Sequence, residues 1–203
     1  MTRLEVDTAS LGPRGTYPWL TSLVLPRPIA WVSTRSSSGV DNLAPHSFFT
    51  VASDEPPIVS FTSIGAKDSL RNALETREFV VNLVSYALRD QANLTATEYP
   101  PDTSEFDAVG VEREASLTVR PWRVAGSPAV LECVLEDTRS FGRCTVVFGR
   151  VQHLAVEESA VVDGRPRVEF LDPVARLGGA EWCRVGEVMR IRRVPYAQVA
   201  PDG

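Results

Sequence analysis

The chain lacks most of the features from which a function is usually read. No apolar run reaches the roughly 18 residues of a membrane-spanning helix, and the start Met1-Thr2-Arg3-Leu4-Glu5 is charged where a secretory signal needs an apolar core. No membrane partner and a cytoplasmic location are therefore expected. Two histidines and three cysteines (Cys133, Cys144, Cys183), with neither CxxC nor Cys/His spacing, argue against a zinc site. An odd thiol count without a secretory signal suits reduced cysteines. A net charge of -5 without a dense Lys/Arg patch argues against nucleic acid, whose phosphates demand one. No GxGxxG follows a strand, and Gly65-Ala66-Lys67 is not a Walker loop, so the usual grounds for a dinucleotide or NTP domain are missing. No Ser/His/Asp or paired-carboxylate set stands out, and no catalytic side chain or metal ligand is assigned. Repeats, low-complexity tracts and linkers are absent as well.

What is present is a chain of 203 residues, 43% hydrophobic, which is enough for one sizeable core and short for two. A single domain is expected over 1–203, with its core at about 17–196 and with the first sixteen residues and the 200–203 tail flexible. Strand-like runs at 29–34, 58–62, 79–84, 129–135, 144–156 and 187–191 are separated by turn-rich segments, which suggests a barrel with a few helices rather than a βαβ array. Cys133 falls in one of these strands. Residues 70–76 and 86–97 are helix-compatible, and the proline-rich 99–104 reads as a loop flanking a pocket.

The most informative stretch runs from Pro26 to Asn72, where PRPIAWVST, NLAPHSFFT, DEPPIVSFT and KDSLRN follow one another. The first is a strand closed by the Ser36-Ser37-Ser38-Gly39 turn, with Ser33 and Thr34 at its polar end. Residues 42–50 combine Asn42, the rigid Pro45 and Phe48-Phe49, which predicts an irregular segment with free backbone groups able to grip the polar edge of a ring. Lys67 stands at the start of a predicted helix, a ready anion site. In an acidic chain a phosphate needs such local positive potential, here from Lys67, Arg71 and the helix amides.

This order of segments, continued by FVVNLV, SPAVLEC, FGRV and PVARLGG, resembles the flavin reductase-like, FMN-binding split-barrel family over roughly residues 17–196. The resemblance implies a mainly β fold with a few helices, an antiparallel Greek-key split β-barrel that binds FMN. It implies that Ser33, Thr34 and the loop Asn42, Leu43, Ala44, Pro45, His46 and Ser47 line the isoalloxazine and ribityl chain, and that Thr62, Lys67 and Ser69 hold the phosphate. Ser69 stands where the family usually has threonine, and Trp182 where it often has tyrosine. The implied activity is an NAD(P)H-dependent flavin reductase in which the flavin carries the redox chemistry. NADH or NADPH is the implied co-substrate, a partner monooxygenase a possible acceptor, and a homodimer with flavin near the interface the implied assembly.

Plainer readings compete with these. Lys67 and Asp68 can be a solvated lysine and a helix N-cap, and His46 a hydrogen-bonded structural residue. Arg27, fixed between two prolines, is either held near the ring or a surface arginine; Arg176, before a glycine pair, either approaches the cofactor or marks a turn. Phe48-Phe49 reads as core rather than as a stacking platform. The fold also leaves open an FMN enzyme with another electron donor or acceptor, such as a reductase or oxygenase, and a non-enzymatic flavin or haem container.

Overall fold

The computed structural model describes residues 1–100 and 102–199; the 200–203 tail expected to be flexible lies outside the described residues. Strand β1 (Ala30–Arg35) has nearly every residue buried, and the reason is alternation between two cores. Ala30 and Val32 join Phe61, Phe79 and Val147 in one cluster, whereas Ile29 and Trp31 join Leu43, Phe106 and Val124 in another. A period of two sends successive side chains to opposite faces, so a strand apolar at every position needs cover on both sides.

The other strands of the main sheet are β2 (Asp41–His46), β3 (Phe49–Ser53), β4 (Ile58–Ile64), β5 (Glu78–Leu83), β6 (Ala129–Phe141) and β7 (Cys144–Val156). All pair antiparallel, in the order β2-β1-β5-β6-β7-β4-β3. The two edge strands, β2 and β3, are consecutive in the chain and separated only by Ser47 and Phe48. The sheet therefore curls until its edges meet at a turn without pairing along their length: a split barrel, as expected. The long β6–β7 hairpin helps the curl with register shifts at Phe148/Gly149 and Val151/His153, since a bulge adds local twist. Gly149 is required there, because a Cβ would lie 2.1 Å from Cζ of Phe79 in the core.

Five α-helices are found among the described residues: α1 (Thr16–Leu23), α2 (Asp68–Thr76), α3 (Arg89–Leu94), α4 (Glu105–Val109) and the single turn α5 (Val168–Leu171). Helix α2 buries Ser69, Leu70, Asn72 and Ala73 and ends at Arg77 in the left-handed region (φ 64°). Ala92 of α3 and Phe106 of α4 lie in the second core. A small sheet joins Arg27–Pro28, Val174–Arg176 and Trp182–Arg184.

Several expectations change. Residues 42–50 are not irregular; they belong to the two edge strands and the turn between them. An edge strand is bonded on one side only, so it tolerates Pro45, which has no N–H to give to a ladder. Residues 187–191 form no strand: their apolar spacing is strand-like, but no neighbouring strand is there to pair with, and they are exposed. The 86–97 helix is broken into a 3-10 turn (Tyr86–Leu88) followed by α3. Within the first sixteen residues, Thr8–Leu11 form a 3-10 turn capped by Asp7. Cys133 is buried in β6, which pushes its thiol pKa well up and keeps it protonated.

Candidate functional site

A cavity of about 370 Å3 opens where the two sheet edges meet, between β2, the turn after it, β4 and the start of α2. Eight of the residues expected at a cofactor site line it: Asn42, Ala44, Pro45, His46, Ser47, Thr62, Lys67 and Ser69. Five lie elsewhere. Ser33 Oγ donates to Trp122 O (2.5 Å) and accepts from Asn82 Nδ2 (3.3 Å), a fully buried structural role. Thr34 Oγ1 sits behind the pocket wall and accepts from Asn42 Nδ2 (3.3 Å) and Asn72 Nδ2 (3.1 Å). Leu43 is core, and its N–H, turned away from the ladder, donates to Glu105 Oε2 at 2.9 Å. Arg27 is no surface arginine: it is 7% exposed and donates to Thr21 O, Val24 O and Leu177 O, tying the end of α1 to the C-terminal segment. Arg176 lies in a separate groove, its guanidinium 5.2 Å from the Trp182 ring.

One end of the cavity is built for an anion. Lys67, the only lysine of the chain, occupies the N-cap position of α2 in extended conformation, and no side chain caps the helix. Asp68 is the first helical residue rather than the cap, and its carboxylate turns to Arg71 at 2.6 Å. The first-turn amides thus keep their hydrogen-bonding capacity, and the helix dipole adds positive potential at the same point. Ser69, 1% exposed, presents a hydroxyl there that accepts from Asn42 Nδ2 at 3.1 Å.

The middle of the cavity carries groups with unused capacity. His46 packs 4.7 Å from the Phe61 ring, and its Nδ1 lies 3.4 Å from Thr62 O. Burial, assisted by the charge of Lys67, lowers its pKa to about 4 against the opposing pull of the Thr62 carbonyl. The ring is therefore neutral at pH 7. With the proton on Nδ1, where Thr62 O accepts it, Nε2 is a bare acceptor, buried and without a partner. Glu105 faces the same cavity at 7% exposure; burial raises its carboxyl pKa, while the Leu43 N–H pulls the other way.

The walls also include Tyr17, Glu105 and residues 95–98, which the sequence did not single out, Tyr99 at the start of the loop expected to flank a pocket, and Phe48, which was expected in the core. Phe48 was legible in principle. Consecutive phenylalanines at the start of a strand point to opposite sides, and the pair divides accordingly, Phe49 packing on the barrel core and Phe48 lining the cavity 6.3 Å from the Tyr17 ring. Glu105 reaches Leu43 across 62 positions and leaves no local sequence signal.

Residues 22–168 match the flavin reductase like domain. The chain belongs to the flavin reductase-like family. Its fold is close to that of nitrilotriacetate monooxygenase component B from Bacillus cereus, with a TM-score of 0.89, 30% identity, and 94% of this chain and 100% of the other covered. A similar likeness holds to the 2-nitrobenzoate 2-nitroreductase of Pseudomonas fluorescens, with a TM-score of 0.88, 31% identity and coverage of 95% and 96%. A protein of Deinococcus radiodurans without a functional name is 37% identical over 211 residues, covering 98% of this chain and 93% of its own. Membership makes this a flavin-binding split barrel of an oxidoreductase family.

The cavity suits the family's flavin on its own terms. A lysine at an uncapped helix start answers a terminal phosphate. The orphaned His46 Nε2 answers a hydrogen-bond donor, of which an isoalloxazine offers N3–H and a ribityl chain its hydroxyls. Tyr17 and Phe48 supply apolar wall for a planar ring.

Proposed function

We propose that this flavin reductase-like protein binds FMN in the Lys67 cavity and is an NAD(P)H-dependent flavin reductase. The observation that carries the reading is Lys67: the only lysine of the chain stands at an uncapped helix start that opens into the one cavity lined by most of the expected residues. When bound, the flavin supplies the redox chemistry, accepting electrons from dihydronicotinamide. The chain's own part is binding and orientation. Lys67, Ser69 and the α2 amides hold the phosphate; neutral His46 accepts at Nε2; Tyr17 and Phe48 flank the ring; Asn42 fixes Ser69. Glu105 holds the Leu43 amide and with it the pocket-lining strand β2.

Reduced flavin passing to a partner monooxygenase is supported by the likeness to a monooxygenase component B. A second reading, in which the bound flavin reduces a small aromatic acceptor, draws on the Tyr17 and Phe48 walls and on the likeness to a nitroreductase. A homodimer is supported by the apolar surface at the end of α1, where Leu23 is 72% and Val24 61% exposed. Titration of the purified chain with FMN, followed by flavin fluorescence, should give saturable binding of one flavin per chain. Subsequent addition of NADH or NADPH without oxygen should bleach the flavin absorbance. Absence of FMN binding removes the whole reading; binding without bleaching leaves a flavoprotein with a different reductant.

A further inference from the structure

A second concave surface lies against α3. It is lined by Arg89, Asp90 and Asn93 of that helix and by Arg176, Gly179 and Trp182 of the C-terminal segment. Arg176 is in no ion pair among the described residues. Its guanidinium lies 5.2 Å from the Trp182 ring centre, and its Nη2 donates to Gly179 O at 2.6 Å. A guanidinium held against an aromatic face in this way keeps its other face free for a planar ring and its remaining N–H edge free for an anion. Arg89 brings a second cation; it lies 4.1 Å from the Tyr86 ring and donates to Tyr86 O at 2.7 Å. Asp90, 3.1 Å from Arg89, and Asn93 add acceptors and an amide. Two arginines against one aspartate give the groove a local positive excess in a chain of net charge -5.

This is the chemistry of an adenylate: a planar base to stack on Arg176 over Trp182, an exocyclic amine and ribose hydroxyls for Asp90 and Asn93, and a phosphate for the two arginines. The groove also lies where such a ligand would be used. Asn93 lines the groove and Thr95, two residues further on, lines the flavin cavity, so the two openings meet the chain at the C-terminal end of α3. We infer that the Arg89–Arg176–Trp182 groove takes the phosphorylated adenosine end of the nicotinamide dinucleotide while the nicotinamide end enters the Lys67 cavity. This assignment rests on the proposed reductase reading and goes beyond it by naming where the reductant is held.

The test is calorimetric titration of the full chain with ADP-ribose, which carries the adenosine and its phosphates but neither nicotinamide nor flavin. Saturable binding is expected, weakened about tenfold by Arg176→Gln and by Arg89→Gln, the loss of one charge-assisted contact. In the same variants FMN affinity should move by less than about twofold. Failure of ADP-ribose to bind, or equal binding by wild type and both variants, overturns the assignment. So does a parallel loss of FMN affinity, which would place Arg176 in the flavin site. FAD separates the other source of an adenylate: a loss confined to FAD in Arg176→Gln would make the groove part of a flavin dinucleotide site and remove the reductant from it. None of these titrations involves electron transfer, so inability of the protein to oxidise NADH or NADPH would count against the proposed function without touching this result.

Discussion

Two buried polar clusters differ in one respect that separates scaffold from site. Around Glu132 in β6, which is fully buried, the carboxylate's own capacity is met, while Arg123 Nη2 beside it is paired by charge without an aligned hydrogen bond. The carboxylate accepts from Leu117 N (2.8 Å), Thr118 N (2.6 Å) and Thr118 Oγ1 (2.5 Å), and Arg123 reaches it at 2.6 Å. Burial alone would raise the Glu132 pKa, yet these donors outweigh it and hold the carboxyl at about 2. Around Lys67 the cluster is unfinished: the helix start is uncapped, and His46 Nε2 is buried without a partner. Polar burial is common to both. An orphaned atom alone does not mark a binding site, since Arg27 Nε, Asp41 Oδ1 and Arg123 Nη2 are also buried without partners; what marks it is unmet groups that open into one cavity, where a ligand can return their cost.

The comparison breaks first, and with the largest effect, at Glu132. Glu132→Ala leaves the buried Arg123 with only the half-exposed Glu114 as a partner, and unfolding stability should fall by about 3 kcal/mol in a urea titration. FMN affinity of the folded fraction should be unchanged. A comparable loss of FMN binding in a still-folded variant would mean that the two clusters are one site. Lys67→Ala is the converse test. Removal of a charge-assisted contact to phosphate should weaken FMN binding by about 2–3 kcal/mol, leave riboflavin affinity almost unmoved, and barely change stability. Equal losses for FMN and riboflavin would take Lys67 out of the phosphate site.

The sequence made the scaffold's strands and the phosphate end of the pocket visible, since both rest on local signals. Short apolar runs bounded by turn residues located β1, β4 and β5, and Lys67 before a helix-compatible run located the start of α2. Residues 187–191 show the limit of the same reasoning: the apolar pattern of a strand says nothing about whether a neighbour exists to pair with it. Ser33 and Thr34 show another limit. Polar residues at a strand end read as pocket lining, but Trp122 and Asn72 reach them from 89 and 38 positions away and use them inside the protein. Glu105, Tyr17 and the separate placement of Arg176 are likewise products of long-range folding. Pro45 misled in the opposite direction, marking the edge of a sheet rather than an irregular loop.

The smallest predicted effect sharpens the comparison by separating the two clusters in pH. The His46 pKa in the folded protein, about 4, lies below its ordinary 6.5, so between these values the unfolded chain carries a proton that the folded chain lacks. Stability is therefore fully present above about pH 6.5 and falls as the pH drops toward 4, by about 2 kcal/mol between pH 7 and pH 5. Glu132, with its folded pKa at about 2 against 4.5, contributes its own loss only below about pH 4.5. His46→Gln cannot titrate, so the stability of wild type relative to the variant should fall by about 2 kcal/mol as the pH drops from 7 to 5, whatever the other carboxylates do. Saturating FMN should carry the wild-type fall on below pH 4, because a donor on Nε2 further disfavours the protonated ring. A His46 contribution that still levels off near pH 4 with FMN bound would show that the flavin leaves Nε2 unpaired, and the incompleteness at His46 would then belong to the scaffold rather than to the site.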